Sequence, residues 1–322
     1  MKVLIGVPES NSNLSAEEIK QHFEESAKTY QFDLALSTDN LTSSELDEVE
    51  VYVGNNIAVL TQLLERPHSQ LRWVQTLSAG IDNLPLTRLQ EKGIRLTTVK
   101  GIHAEPISES VIGMILAMYR GINESAQEGQ WFKLTQTLKM LQGKQVVIYG
   151  TGHIGGRIAE ILTVFHAKTI GINSSGHEAK GFQQVVSMAD SQPAIENADI
   201  LVNALPLTPQ TKHLFNADLF KQLKHHPLFI NIGRGPSVNT SDLVQALDTK
   251  QLSGAALDVT DPEPLPKDHA LWQKANVLIT PHISGIHAEY LAESLAIFNH
   301  NMTEFVQNGQ VVQNQVDYKK GY

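Results

Sequence analysis

The run Gln145 to Tyr149 is strand-like and apolar, and Gly150-Thr151-Gly152-His153-Ile154-Gly155 follows it directly. The next residues carry Ile158, Ile161, Leu162 and Phe165 at helical spacing. Strand, glycine turn and helix in immediate succession leave few folds open. The first glycine permits the tight turn, the second lets backbone approach a pyrophosphate, and the third lets helix and strand pack closely. The helix N-terminus then faces the phosphates. A dinucleotide site over Gly150, Thr151, Gly152, His153, Ile154 and Gly155 is the expectation, in an open parallel α/β sheet.

The surrounding segments fit such a sheet. Thr169 to Ile172, Ile200 to Leu205, Leu228 to Ile232, Gly254 to Leu257 and Val277 to Thr280 are further apolar runs with helical segments between them. With Gln145 to Tyr149 they predict a six-stranded doubly wound sheet. A separate strand-helix alternation occupies the first hundred residues: Val3 to Val7, Phe32 to Leu36, Val51 to Val53, Arg72 to Thr76 and Arg95 to Thr98. Ala16 to Tyr30 reads as a helix with Ile19, Phe23 and Ala27 on one stripe, introduced by Ser15 with Glu18 in a capping-box pattern. Ile107 to Tyr119 is apolar nearly all round and reads as a buried helix at a domain or subunit interface. The long helical stretch Ala288 to Asn308 comes too late for another strand-helix unit, so we expect it to pack on the first domain. The expected division is residues 1–100 with 286–322, and 101–285.

With 322 residues, two domains are expected. There is no cysteine, which excludes disulfides, thiolate metal sites and cysteine nucleophiles. No apolar run approaches the roughly 18 residues of a membrane span, and no signal segment is evident. A net charge of -9 without a Lys/Arg cluster argues against nucleic acid. A cytoplasmic protein with a small-molecule substrate, no membrane or nucleic-acid partner and no metal is the expectation.

NAD-type sites usually place a carboxylate at the end of the second strand, on the ribose hydroxyl. Here that strand ends Asn173-Ser174-Ser175-Gly176-His177, without a carboxylate. Asn173, Ser174 and Ser175 can donate to a 2′-phosphate, so NADP(H) is favoured over NAD(H). His177 and Lys180 are the nearby cations.

Three later strands each lead into one polar residue of a different kind. Arg234 lies in Asn231-Ile232-Gly233-Arg234-Gly235, Glu263 in the proline-rich turn after Asp258, and His282 in Thr280-Pro281-His282. Ligands bind outside the carboxyl ends of parallel strands, so the three should converge beside the dinucleotide. A guanidinium suits a carboxylate and carbonyl. An imidazole can give and take a proton near neutrality. A carboxylate on the imidazole would fix its tautomer and favour its protonated form. Asp258 ends a strand at the same crevice, where it could contact the nicotinamide carboxamide.

Taken in order, these motifs resemble the D-2-hydroxyacid dehydrogenase family. The likeness extends to Leu77-Ser78-Ala79-Gly80-Ile81-Asp82, Leu205-Pro206-Leu207-Thr208 with Thr211, Asp258-Val259, and Glu263-Pro264-Leu265-Pro266. It implies a Rossmann-type doubly wound domain, a discontinuous flavodoxin-like substrate domain, a cleft between them, and a homodimer. It implies that Arg234 binds substrate, Glu263 is the acid partner and His282 the acid/base. The N–H groups of Ser78, Ala79 and Gly80 would hold the substrate carboxylate, and Leu205, Pro206, Thr211 and Ile232 would line the cofactor. Glu263 stands where the related formate dehydrogenases carry glutamine. The ending at Asn173 resembles that of the glyoxylate/hydroxypyruvate reductase branch. Reduction of a 2-oxo acid to a D-2-hydroxy acid by NAD(P)H follows. Transcriptional corepressors of the same family bind NAD(H) as a sensor, so a cofactor-gated binding protein with little turnover is the alternative.

Overall fold

The computed structural model describes residues 1–6, 16–37, 39–128, 131 and 138–318. Val7 and Ser15, expected as a strand end and a helix cap, lie outside them. The chain divides into two compact units, Met1–Ile102 with His287–Tyr322, and His103–Ile286.

In the first unit β1 (Lys2–Gly6), β2 (Asp33–Leu36), β3 (Val49–Gly54), β4 (Trp73–Gln75) and β5 (Arg95–Thr97) form a parallel sheet. Its order is β2-β1-β3-β4-β5, the flavodoxin-like arrangement. Val3, Leu4 and Ile5 are all fully buried because both faces of the sheet are covered. Val3 and Ile5 face Ile19 and Phe23 of helix Ala16–Tyr30 and Phe298 and Met302 of helix Tyr290–Asn308. Leu4 faces the opposite side, with Leu60, Leu63 and Leu89. The Trp73 ring stacks on Phe298 at 5.3 Å between centroids. Helix Tyr290–Asn308 stops at Gly309, whose φ of +63° suits a residue without Cβ. Beyond it the Val316 N–H donates to the Leu96 carbonyl at 2.8 Å, and Gln315 bridges Thr97, so the β5 edge is covered.

The second unit holds β6 (Gln145–Tyr149), β7 (Lys168–Asn173), β8 (Gln184–Ser187), β9 (Ile200–Asn203), β10 (Leu228–Asn231), β11 (Gly254–Leu257) and β12 (Val277–Ile279). The parallel order β12-β11-β10-β9-β6-β7-β8 is doubly wound, with its direction reversing between β6 and β9. Six strands were expected here and seven are present. The extra one, β8, is a four-residue edge strand, half-exposed and with only two apolar residues, too short for its pattern to stand out. Val111 and Ile115 of helix Ala104–Tyr119 are fully buried against Ile158 and Leu162 of helix His153–Val164. The apolar surface that suggested an interface is therefore largely covered within this unit. Among the described residues no helix is long and apolar enough to cross a membrane.

Candidate active site

The β6 turn shows why its glycines stand where they do. Gly150 has φ +99°, and a Cβ there would meet the Ala204 carbonyl at 2.9 Å. A Cβ on Gly155 would lie 2.0 Å from the Gly150 carbonyl oxygen. Gly152 differs: it is the N-cap of helix His153–Val164, and a Cβ on it would meet nothing within 4 Å. The two outer glycines are demanded by packing, and the middle one borders open space at a helix N-terminus. First-turn N–H groups lack helical acceptors, so His153, Ile154 and Gly155 suit a pyrophosphate at that point. The donor set thus fits a dinucleotide.

Asn173, at the end of β7, has its side chain engaged within the protein. Its Nδ2 donates to Thr151 Oγ1 at 3.0 Å and to the His177 carbonyl at 2.9 Å. Its Oδ1 accepts from the N–H groups of Ser175 and Gly176. Both amide hydrogens and both lone pairs are occupied, and the residue is buried. Asn173 shapes the loop; Ser174 and Ser175 stand exposed on it, with Ser175 Oγ 2.9 Å from His177 Nδ1. Lys180 pairs with Glu160 at 3.3 Å. Thr211 has a similar bracing role, its hydroxyl donating to the Pro206 carbonyl at 2.7 Å while accepting from the Thr208 N–H. Leu205 and Pro206 follow β9, and Ile232 follows β10 with its N–H donating to the Asn203 carbonyl.

The polar trio follows three adjacent strands, β10, β11 and β12. His282 Nδ1 lies 2.7 Å from Glu263 Oε1, and both side chains are about half exposed. With Nδ1–H donating to the carboxylate, Nε2 is left to exchange a proton with a ligand. Arg234 lies one strand further, its Nη1 donating to the Gly233 carbonyl at 2.8 Å. A Cβ on Gly235 would sit 1.8 Å from the Thr260 carbonyl, so glycine there lets the Arg234 loop lie against the Glu263 loop. His282 has φ +54°, a backbone conformation that a non-glycine residue holds only when its surroundings impose it.

In the other unit Ser78, Ala79 and Gly80 form a turn after β4. Among the described residues no acceptor is seen for their three N–H groups. The turn is held from behind instead: the Thr76 hydroxyl donates to the Ser78 carbonyl at 2.7 Å, and Ser78 Oγ donates to the Gly80 carbonyl at 2.8 Å. Consecutive unused N–H groups on a partly exposed, braced turn can bind an anion.

Residues 112–284 match the family model "D-isomer specific 2-hydroxyacid dehydrogenase, NAD binding domain". The chain belongs to the D-isomer specific 2-hydroxyacid dehydrogenase family. It is 36% identical over 234 residues to a mouse glyoxylate reductase/hydroxypyruvate reductase, covering 70% of each chain. It is 43% identical to a phosphoglycerate dehydrogenase of Lactobacillus plantarum of known structure, with TM-score 0.57, covering 98% of this chain and 100% of that one. An NADPH-dependent glyoxylate/hydroxypyruvate reductase of Sinorhizobium meliloti, solved with NADP and sulfate, is 26% identical with TM-score 0.82, covering 100% and 99%. The protein is thus an NAD(P)-dependent oxidoreductase, and its two parallel sheets carry the Rossmann-like fold of this family.

Two elements of the dehydrogenase site have no clear sequence signal. The first is what Asp258 does. It is 2% exposed, and its carboxylate accepts from Thr280 Oγ1 at 2.6 Å, from the N–H groups of Ile283 and Ser284, and from Ser284 Oγ. The backbone carbonyl of Asp258 accepts from the His282 N–H at 2.9 Å. In this structure the side chain grips the loop that carries His282 rather than facing outward to a nicotinamide. The second is a pair of buried amides. Asn203 Nδ2 donates to Asn231 Oδ1 at 2.8 Å, and Asn231 Nδ2 donates to the Arg234 carbonyl at 3.2 Å. Asn203 Oδ1 accepts from the Leu205 N–H, so this chain of amides ties the loop after β9 to the Arg234 loop. Both asparagines end apolar strands, where a buried amide signals local bracing, but neither partner can be read from spacing.

Proposed function

We propose that the protein reduces a small 2-oxo acid to the D-2-hydroxy acid, with His282 as general acid/base, Glu263 as its partner and Arg234 as the anchor for carboxylate and carbonyl oxygens. The observation that carries this reading is the 2.7 Å His282–Glu263 contact at the ends of adjacent strands in a dinucleotide-type sheet. When bound, the nicotinamide would supply the hydride for reduction and would accept it in the reverse direction. Glu263 holds the ring so that Nε2 carries the proton to the substrate oxygen. Arg234 offers a permanently charged fork to the anionic end of the substrate and to the oxygen on which charge develops. The N–H groups of Ser78, Ala79 and Gly80 take the substrate carboxylate.

Substrates of the glyoxylate and hydroxypyruvate class are favoured by the names of the mouse and Sinorhizobium relatives. NADPH is favoured over NADH because the loop after β7 carries Ser174, Ser175 and His177 and no carboxylate before Glu178. The Sinorhizobium relative was solved with NADP. The test is kcat/KM for NADPH and NADH across glyoxylate, hydroxypyruvate, 3-phosphohydroxypyruvate, pyruvate, and branched and aromatic 2-oxo acids. A higher value with NADH would reject the cofactor reading. Tight cofactor binding with no turnover on any member would reject the enzyme reading in favour of a cofactor-gated binding protein.

A further inference from the structure

Two of the three peptide planes that carry an unused N–H in the Ser78–Gly80 turn have their carbonyl held by a donor behind them. A peptide group is rigid and trans, so fixing its C=O also fixes the opposite direction of its N–H. The plane that holds the Ala79 N–H contains the Ser78 carbonyl, which accepts from Thr76 Oγ1 at 2.7 Å. The plane that holds the Ser78 N–H contains the Leu77 carbonyl, which accepts from the Tyr290 hydroxyl at 2.7 Å. Asn55 Oδ1 accepts from the Leu77 N–H at 3.1 Å and fixes the plane before it. Thr76 and Asn55 come from the neighbouring strand ends, but Tyr290 lies 213 residues away, at the first position of helix Tyr290–Asn308.

We propose that Tyr290 is a positioning residue for substrate binding: through the Leu77 carbonyl it aims the Ser78 N–H at the carboxylate of the 2-oxo acid. The inference rests on the reading of Ser78–Gly80 as the carboxylate site. The surroundings of Tyr290 suit a permanent donor. Its ring stands edge-on to His287 at 5.6 Å, and burial pushes its phenol up to about 12, so the hydroxyl keeps its proton throughout the working range. Helix Tyr290–Asn308 is clamped on the sheet by Phe298 against Trp73, so the hydroxyl is anchored to a rigid element. The segment after β12 thereby supplies a part of the substrate site as well as a cover for the first sheet.

The Tyr290→Phe variant removes the hydroxyl and keeps the ring. Its KM for the 2-oxo acid should rise about tenfold, because a misaimed Ser78 N–H forfeits most of one hydrogen bond to the charged carboxylate. Its kcat should change by less than about threefold, because chemistry at His282 is untouched. The Kd for NADPH, followed by nicotinamide fluorescence, should not change. Amide exchange over residues 77–80 should quicken in the variant, and in wild-type enzyme with NADPH it should slow when oxamate, a non-reacting 2-oxo acid mimic, is added. An unchanged KM and unchanged exchange in Tyr290→Phe, with oxamate still protecting the turn in wild type, would overturn the role of Tyr290 and leave the carboxylate site standing. Absence of any oxamate protection in wild type would overturn the carboxylate site, and this inference with it.

Discussion

Replacing Asp258 by asparagine tests how the His282 loop is held. The carboxylate accepts from two hydroxyls and two backbone N–H groups, one of which is shared between its oxygens. An asparagine keeps the shape but presents an NH2 where one oxygen stood. If it replaces Oδ1, it meets the Ile283 N–H donor to donor; if it replaces Oδ2, the Ser284 N–H keeps only its 3.3 Å contact to Oδ1. The threonine and serine hydroxyls can rotate to accept, but a backbone N–H cannot. A backbone N–H thus loses its acceptor or keeps only the longer one, at about 1–3 kcal/mol, and the remaining bonds lose their charge assistance. A total near 3 kcal/mol is expected, which lowers the melting temperature of this unit by about 6–12 °C. His282 sits between these contacts with φ +54°, so the loop relaxes and the ring leaves its place. About 2.7 kcal/mol of lost alignment corresponds to roughly a hundredfold fall in kcat. The assays are differential scanning calorimetry, steady-state kinetics and direct titration of NADPH. A normal kcat and melting temperature combined with weakened NADPH binding would refute the reasoning and return Asp258 to a direct contact with the nicotinamide.

Other outcomes are expected at single positions. His282→Ala should cut kcat by about a hundredfold or more while NADPH titration stays normal, and near wild-type turnover at neutral pH would remove it from the mechanism. Arg234→Ala should raise KM for the 2-oxo acid and lower kcat together, because the anchor acts in ground and transition states; an unchanged KM rejects that role. Gly155→Ala places a methyl 2.0 Å from the Gly150 carbonyl oxygen, so cofactor binding and thermal stability should both fall, the latter by about 1–3 kcal/mol.

The polar residue that closes each apolar run is legible in the amino-acid order alone. Parallel strands buried on both faces must be apolar, so the first polar residue after each run marks the strand end and the ligand side of the sheet. The loops after those ends lie on the ligand side, which is why Arg234, Glu263 and His282 in them stand out together, and why Gly150, Gly152 and Gly155 can be given separate tasks. Asn173 and Asp258 emerge by the same rule, but their side-chain partners do not. At both positions a polar group at a strand end satisfies backbone N–H groups of a loop, its own for Asn173 and the loop after β12 for Asp258. Such a choice depends on which donors the loop leaves unpaired, and that is settled only when the loop is folded.

The succession of strands, the glycine turn and the chemistry of the three strand-end residues were thus determined by the sequence itself, because they follow from local apolar patterning and from steric limits on the backbone. The tertiary structure alone decided which hydrogen bonds hold those residues in place. Asn203 reaches Asn231 across 28 residues, Asp258 reaches Ser284 across 26, and Tyr290 reaches Leu77 across 213. A short-range hydrogen bond needs its partners placed to within a few tenths of an ångström, and at these separations only packing of the whole unit supplies that placement.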